Sequence, residues 1–380
     1  MRSRLSNTRE LKRSRDGRNL AERGGHSLAE ILSQPQCWGT CLAELEESQS
    51  VKEVMARFNR AGEWLFIGCG SSYYVALAAA ATMKSLTGWP ARAVPASEIL
   101  LYPELVFSGN PCIPVLISRS GQTSEVLKAA EVLERRNLTS VAVSCVKGQT
   151  LEKLASVTIT LPADEQSTVM TRSFTSMLLA LQFLASRLAG NEAFTEALLA
   201  MPELAAAALK PVPERIRDFV SRHTFDDYVC LGHGPFYGLA CEYALKITEM
   251  SVSYAQVFHS LEFRHGPKSI VRPETLVIFL LSERGYEAEC DLLEEVKSLG
   301  GTTFVVANRP NARVHAAADM VVELGLELPE FARLAPSLVP GQLLGLHTGL
   351  KKELDPDSPR HLSRAVILDG NGSKNTERVV

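Results

Sequence analysis

Short unbroken apolar runs alternate with segments of helical period along most of the chain. In the first half the runs fall at 64–67, 92–94, 113–117, 140–144 and 157–161. Runs of this length without polar alternation predict strands of parallel sheets buried on both faces. The segments between them predict helices, for example 124–136, which ends in charged residues and is followed by Asn137. Strands separated by helices in this way predict a doubly wound α/β sandwich. In such sheets ligands bind at the carboxyl ends of the strands, where loops open into helices.

The pattern repeats. Trp64-Leu65-Phe66-Ile67-Gly68-Cys69-Gly70 returns 164 residues later as Tyr228-Val229-Cys230-Leu231-Gly232-His233-Gly234. The same offset relates 117–125 to 281–289 and 141–143 to 305–307. Matched strand ends at one constant offset indicate a tandem duplication. The expected organisation is a disordered basic tail over 1–26, a first domain with N-terminal helices over 27–210, a second domain with a C-terminal site segment over 211–368, and a tail over 369–380. Ser27 is expected to cap a helix starting at Leu28.

Composition narrows the function classes. With 46% hydrophobic and 22% charged residues, disorder is excluded as the main theme. No apolar run approaches the ~18–20 residues of a membrane span, and the N-terminal arginines have no apolar stretch behind them, so neither membrane insertion nor a secretory signal is expected. The eight scattered cysteines read as reduced thiols of a cytoplasmic protein. Cys37 and Cys41 can share a helix face, as buried thiols and not as a metal site; no metal is expected. The tail 1–26 carries eight Lys/Arg and three Asp/Glu, a net of +5, against −3 for the whole chain, which leaves −8 for the remainder. An acidic body repels phosphate backbones, so no nucleic-acid partner is expected.

Candidate chemistry gathers at the strand ends. Gly68-Cys69-Gly70-Ser71-Ser72 lacks the third glycine of a dinucleotide fingerprint, because Tyr73 stands there, and no Walker A loop occurs. A smaller anion site at a helix start fits better. Ser118, Ser120, Thr123 and Ser124 place four hydroxyls within seven residues around Gly121, a cradle for one phosphate. The second copy keeps only Ser282; Arg284, Glu287 and Ala288 replace the rest. In the helix over 237–250 the only charges are Glu242, Lys246 and Glu249, at i, i+4, i+7 on one stripe, which is expected to face a cleft. There burial or Lys246 would tune a carboxylate as general base. His265 lies on a loop before Gly-Pro, where Glu262 and Arg264 are expected to fix its tautomer and charge.

These residues resemble the tandem sugar isomerase (SIS) family, in particular the isomerase half of glucosamine-6-phosphate synthase and the hexosamine-6-phosphate deaminase/isomerases. The resemblance runs from about Ser27 to Leu368. Its motifs are Cys69-Gly70-Ser71-Ser72, Ser118-x-Ser120-Gly-x-Thr123, Glu242-x-x-x-Lys246-x-x-Glu249 with His265, and Asp357-Ser-Pro359-Arg360-x-Leu362-Ser363-Arg364. It implies two doubly wound αβα sandwiches and a sugar phosphate bound by Cys69, Gly70, Ser71, Ser72, Ser118, Arg119, Ser120 and Thr123, with Val169, Met170, Thr171 and Ser363. It further implies Glu249 as the base between C1 and C2, with Lys246 beside it. His265 would assist ring opening, delivered from the partner chain of a homodimer. The synthase's imine-forming lysine is replaced by Arg364, which stays protonated and is expected to stabilise an oxyanion. The synthase's glutaminase segment begins with a catalytic cysteine; Arg2 follows Met1 here, so glutamine-dependent synthesis by this chain alone is not expected. The expected reaction is conversion of a hexosamine 6-phosphate to a ketohexose 6-phosphate and ammonia, without cofactor. The alternatives are a plain aldose–ketose isomerase, an isomerase module served by a separate glutaminase, or a sugar-phosphate-sensing binding protein.

Overall fold

The computed structural model describes residues 23–58, 62–107 and 111–368. Ten strands form two parallel sheets among them. The first holds β1 (Glu63–Gly68), β2 (Ala91–Pro95), β3 (Cys112–Ile117), β4 (Val141–Ser144) and β5 (Val157–Thr160). The second holds β6 (Asp227–Leu231), β7 (Tyr254–Phe258), β8 (Thr275–Leu280), β9 (Thr302–Ala307) and β10 (Met320–Glu323). The orders are β2-β1-β3-β4-β5 and β10-β9-β8-β6-β7, the same topology read from opposite edges. Register repeats too: Glu63 pairs with Cys112 as Asp227 pairs with Thr275, each 164 residues on save the last by one. The central strands are buried along almost their whole length, which is why their sequences show no polar alternation.

The duplication extends to the backbone of the first crossover loop. Gly70 has φ 53 and ψ −127; Gly234 has φ 52 and ψ −127. A side chain is strained at that positive φ, so glycine is required in both copies. Each glycine starts a helix, Ser71–Thr87 in the first half and Pro235–Ser251 in the second. These two helices pack against each other and join the halves. A Cβ on Gly238 would lie 2.7 Å from the carbonyl oxygen of Tyr74, so the crossing needs a residue without a side chain.

The apolar interior divides accordingly. Among the described residues one cluster runs between the halves, from Trp38 and Trp64 through Phe174 to Tyr243 and Leu344. Two smaller clusters cover the outer faces of the sheets. The last long helix, Leu334–Lys351, packs on Pro235–Ser251 and on the first helix, Gly25–Leu32.

The expected tails lie mostly outside the described residues. Where 23–26 are described, the first helix already begins at Gly25, and Gly24 stands at its N-cap position. Ser27 is therefore not a cap. It sits inside the first turn, and its N–H and Oγ both donate to Asp357 Oδ1 at 2.7 Å. A carboxylate more than three hundred residues away satisfies the helix start that the serine was expected to satisfy, a tertiary partner that local sequence cannot reveal. No helix among the described residues is long and apolar enough to cross a membrane.

Candidate active site

The stripe on Pro235–Ser251 faces the other half. Glu242 and Lys246 have side chains 0% and 1% exposed, while Glu249 retains 17%. Ser71, at the start of the first-half helix, donates to Glu242 Oε1 at 3.0 Å. Lys246 Nζ lies 3.3 Å from the same oxygen and also bonds Glu249. The ammonium thus bridges a sunken carboxylate and one at the rim. Burial pushes the Glu242 carboxyl up to about 8, against the pull of Lys246 and with the push of Glu249. Burial also opposes the Lys246 ammonium, but the two carboxylates outweigh it and raise its pKa. Lys246 is therefore held as a cation, with Glu249 the stripe's most accessible carboxylate. The Glu242 end is closed by the first half, and Glu249 at the other end keeps partial access to solvent.

The first of the first-half loops meets this stripe through Ser71. Cys69 is half-buried, and burial pushes its thiol up to about 11, so it serves as a neutral wall. Ser72 is buried beside Ser71. In the second loop Ser118 Oγ accepts the Gly121 N–H at 3.2 Å and lies 3.3 Å from Thr123 Oγ1, closing the turn. Ser120 Oγ accepts the Gln122 N–H at 3.2 Å, which leaves its own proton free to donate. Thr123 precedes the helix Ser124–Arg135, whose first amide groups face the loop.

Arg119 is placed differently from a phosphate ligand. Its guanidinium is 5% exposed and meets four acceptors: Glu165 Oε2 at 3.1 Å and the carbonyls of Val169, Thr168 and Arg364 at 3.2, 2.8 and 2.9 Å. It clamps the hydroxyl loop to the segment after β5 and to the C-terminal segment. Val169, Met170 and Thr171 lie in that buried segment, and Thr171 donates through N and Oγ1 to Glu165 Oε1 at 2.6 and 2.9 Å. Glu165 is the organiser the sequence reading missed. Its position just past the carboxyl end of β5, with hydroxyl residues at 167, 168, 171 and 173, is the signal that points to it.

The C-terminal segment lies across the same loops. The Ser124 N–H donates to the Val366 carbonyl at 3.0 Å, and the Leu368 N–H to Ser124 Oγ at 2.9 Å. Asp357 braces the segment from behind, since its carbonyl accepts the Thr168 N–H. Ser363 Oγ donates to the Ala365 carbonyl at 2.8 Å, within its own turn. The Arg364 side chain pairs with Asp164 and is 44% exposed, so that carboxylate already shares its charge.

His265 follows a short 3-10 turn, Ser260–Arg264, beyond edge strand β7. It is exposed, and its ring has no hydrogen bond or ion pair among the described residues. The expected orientation by its neighbours does not occur: Arg264 and Lys268 both bond Glu295 instead. No hydrogen bond joins His265 to the Glu249 stripe within this chain. Among the described residues there is no group of His, Cys, Asp and Glu suited to a metal ion.

A family model described as SIS domain matches the chain twice, at residues 58–187 and 228–334. A glutamine–fructose-6-phosphate aminotransferase (isomerizing) of Pyrococcus horikoshii is 26% identical over 362 residues, covering 92% of this chain and 59% of the relative. The chain thus spans about three-fifths of the length of that relative. A glucosamine-6-phosphate deaminase structure from Thermotoga maritima is 31% identical with a TM-score of 0.70, covering 90% of this chain and 100% of that one. A tagatose-6-phosphate ketose/aldose isomerase structure from Escherichia coli shares the fold, with a TM-score of 0.77 at 22% identity over 91% of this chain and 97% of that one.

Proposed function

The chain belongs to the SIS domain family, and from that premise we propose that it converts a hexosamine 6-phosphate and water to a ketohexose 6-phosphate and ammonia. The observation that carries this reading is the Glu242–Lys246–Glu249 stripe, buried except where Glu249 reaches the rim. Ser120, the amide groups that follow Ser124 at the start of Ser124–Arg135, and Ser72 hold the phosphate. His265 opens the ring, delivered from a second copy of the chain. Glu249 then takes the proton from C2 of the open aldose, giving an enolamine, and returns it to C1. Water adds to the resulting C2 imine, and ammonia leaves as the C2–N bond breaks. Lys246 stays protonated throughout and orients Glu249 through its hydrogen bond. Arg364, shared with Asp164, stabilises negative charge developing on oxygen.

The 31% identity to a deaminase over its full length supports deamination. The test is ammonia release from a panel of glucosamine and galactosamine 6-phosphates, with deuterium incorporation at C1 or C2 followed by NMR in D₂O. Ammonia with deuterium at C1 of the ketose is the expected result. Deuterium exchange in a fructose or tagatose 6-phosphate without ammonia from any amino sugar would establish plain aldose–ketose isomerisation instead.

A further inference from the structure

A cavity of about 360 Å³ opens in the second half at the carboxyl ends of β8 and β9. None of the site residues above lines it. Phe236, Leu281, Ser282, Glu283, Glu330 and Arg333 are among its walls. By the 164-residue offset Phe236 corresponds to Ser72, Ser282 to Ser118 and Glu283 to Arg119, so the cavity is the second copy of the sugar-phosphate loops. The acid–base stripe has no second copy. Ala78, Thr82 and Ser85 stand where Glu242, Lys246 and Glu249 would be, so an occupant here meets no proton carrier of that kind.

One wall is chemically incomplete. Arg333 is 3% exposed and bonds Glu283 through Nη2, but its buried Nη1 has no hydrogen-bond partner among the described residues. Buried charged donors are rarely left so, because desolvation is then uncompensated. Glu330 accepts the Glu283 N–H through Oε1, and its other oxygen has no hydrogen bond among the described residues. Ser282 is already committed: its N–H and Oγ donate to Glu289 at 2.7 and 3.0 Å. The open groups are therefore a guanidinium donor and carboxylate acceptors, beside an apolar wall of Phe236 and Leu281.

We propose that this cavity binds an unphosphorylated sugar, a free hexose or hexosamine. A sugar oxygen accepts from Arg333 Nη1, hydroxyl or ammonium groups donate to Glu330 and Glu283, and the ring's C–H face lies on Phe236 and Leu281. Glu283 and Glu330 offset Arg333 and Arg309, the latter already paired with Glu327, so a phosphate dianion meets no excess of cations, and of the first-half hydroxyls only Ser282 remains, bound to Glu289. The volume is at the low end of the ~300–1,000 Å³ of small-ligand pockets, enough for one pyranose. This holds whichever reaction the first-half site performs.

The test is saturation-transfer NMR and calorimetry on the full chain. Glucosamine and galactosamine, their 6-phosphates and inorganic phosphate are titrated in turn. The proteins are the natural one, Arg333→Met, Glu330→Gln and Ser120→Ala. Free hexosamine affinity is expected to fall about tenfold or more in Arg333→Met and severalfold in Glu330→Gln, and to stay unchanged in Ser120→Ala. Affinity for the 6-phosphates should show the reverse dependence. If Arg333→Met does not fold, the half-buried Glu330→Gln variant decides the matter alone. Failure of both free sugars to bind, loss of their binding in Ser120→Ala only, or their displacement by inorganic phosphate would each overturn the assignment, the last making the cavity an anion site.

Discussion

Glu242 and Glu249 differ by seven residues and by their access to water, and that difference assigns their roles. Glu249→Gln keeps the shape of the stripe and removes the proton acceptor. Turnover is expected to fall by about 10²–10⁴-fold with substrate affinity retained, as measured by steady-state kinetics and by titration of the inactive protein. Glu242 is instead a stability residue with a pH signature. Between the ordinary carboxylate range and about 8, the unfolded chain has released a proton that the folded chain still holds. Stability must then fall as pH rises through that window. Melting temperatures of the natural protein should drop from pH 5 to pH 8 more steeply than those of Glu242→Gln, in which the group cannot ionise. Parallel curves would show that the buried carboxyl titrates as it does in the unfolded chain.

The strand-end loops are the elements where one scaffold serves two purposes. Ser120→Ala removes a hydroxyl whose proton is free, so it should weaken substrate affinity while leaving the melting temperature nearly unchanged. Ser282 is the one hydroxyl the second copy keeps, and by sequence alone it has no assigned partner. The structure shows its hydroxyl bound to Glu289 and to the Gly285 N–H, so a loss of about 1–3 kcal/mol of stability is expected in Ser282→Ala, without change in affinity at the first-half site. Thermal melts beside binding titrations separate the two. The elements themselves were legible: each first-half strand lies within two residues of its apolar run, and the helix after the hydroxyl loop, Ser124–Arg135, ends one residue early. These are local signals of period and punctuation. The loop partners were not legible, because Arg119 with Glu165, Ser27 with Asp357 and Arg264 with Glu295 meet only after the chain has folded. Charge type alone does not say which of several opposite charges a side chain will find.

At the scale of the molecule, the two sheets and their equal topology followed from the repeat, whereas the burial of Glu242 and Lys246 against the first half did not. Nor did the second-half cavity, since its buried arginine comes from a turn 50 residues beyond the loop it completes. The whole-molecule proposal is that Glu249 and His265 act together only across two chains. When Glu249→Gln and His265→Ala proteins are mixed and exchange subunits, about half of the dimers are mixed, and each contains one intact site. Activity should return to about a quarter of the natural level by that counting. No return after confirmed exchange would show that both residues must come from the same chain.

The backbone of 364–368, hydrogen-bonded to Arg119 and Ser124, makes the hydroxyl loop and an exposed strip of chain a single mechanical unit. Arg360 and Arg364 are exposed on that strip, so trypsin nicking after either one reports on the loop from outside. A compound that orders the loop should slow the nick, and a compound that does not reach it should leave the rate unchanged. Gel-resolved cleavage time courses can therefore sort candidate sugars by occupancy alone, before any product is known and even with a Glu249→Gln protein that turns nothing over.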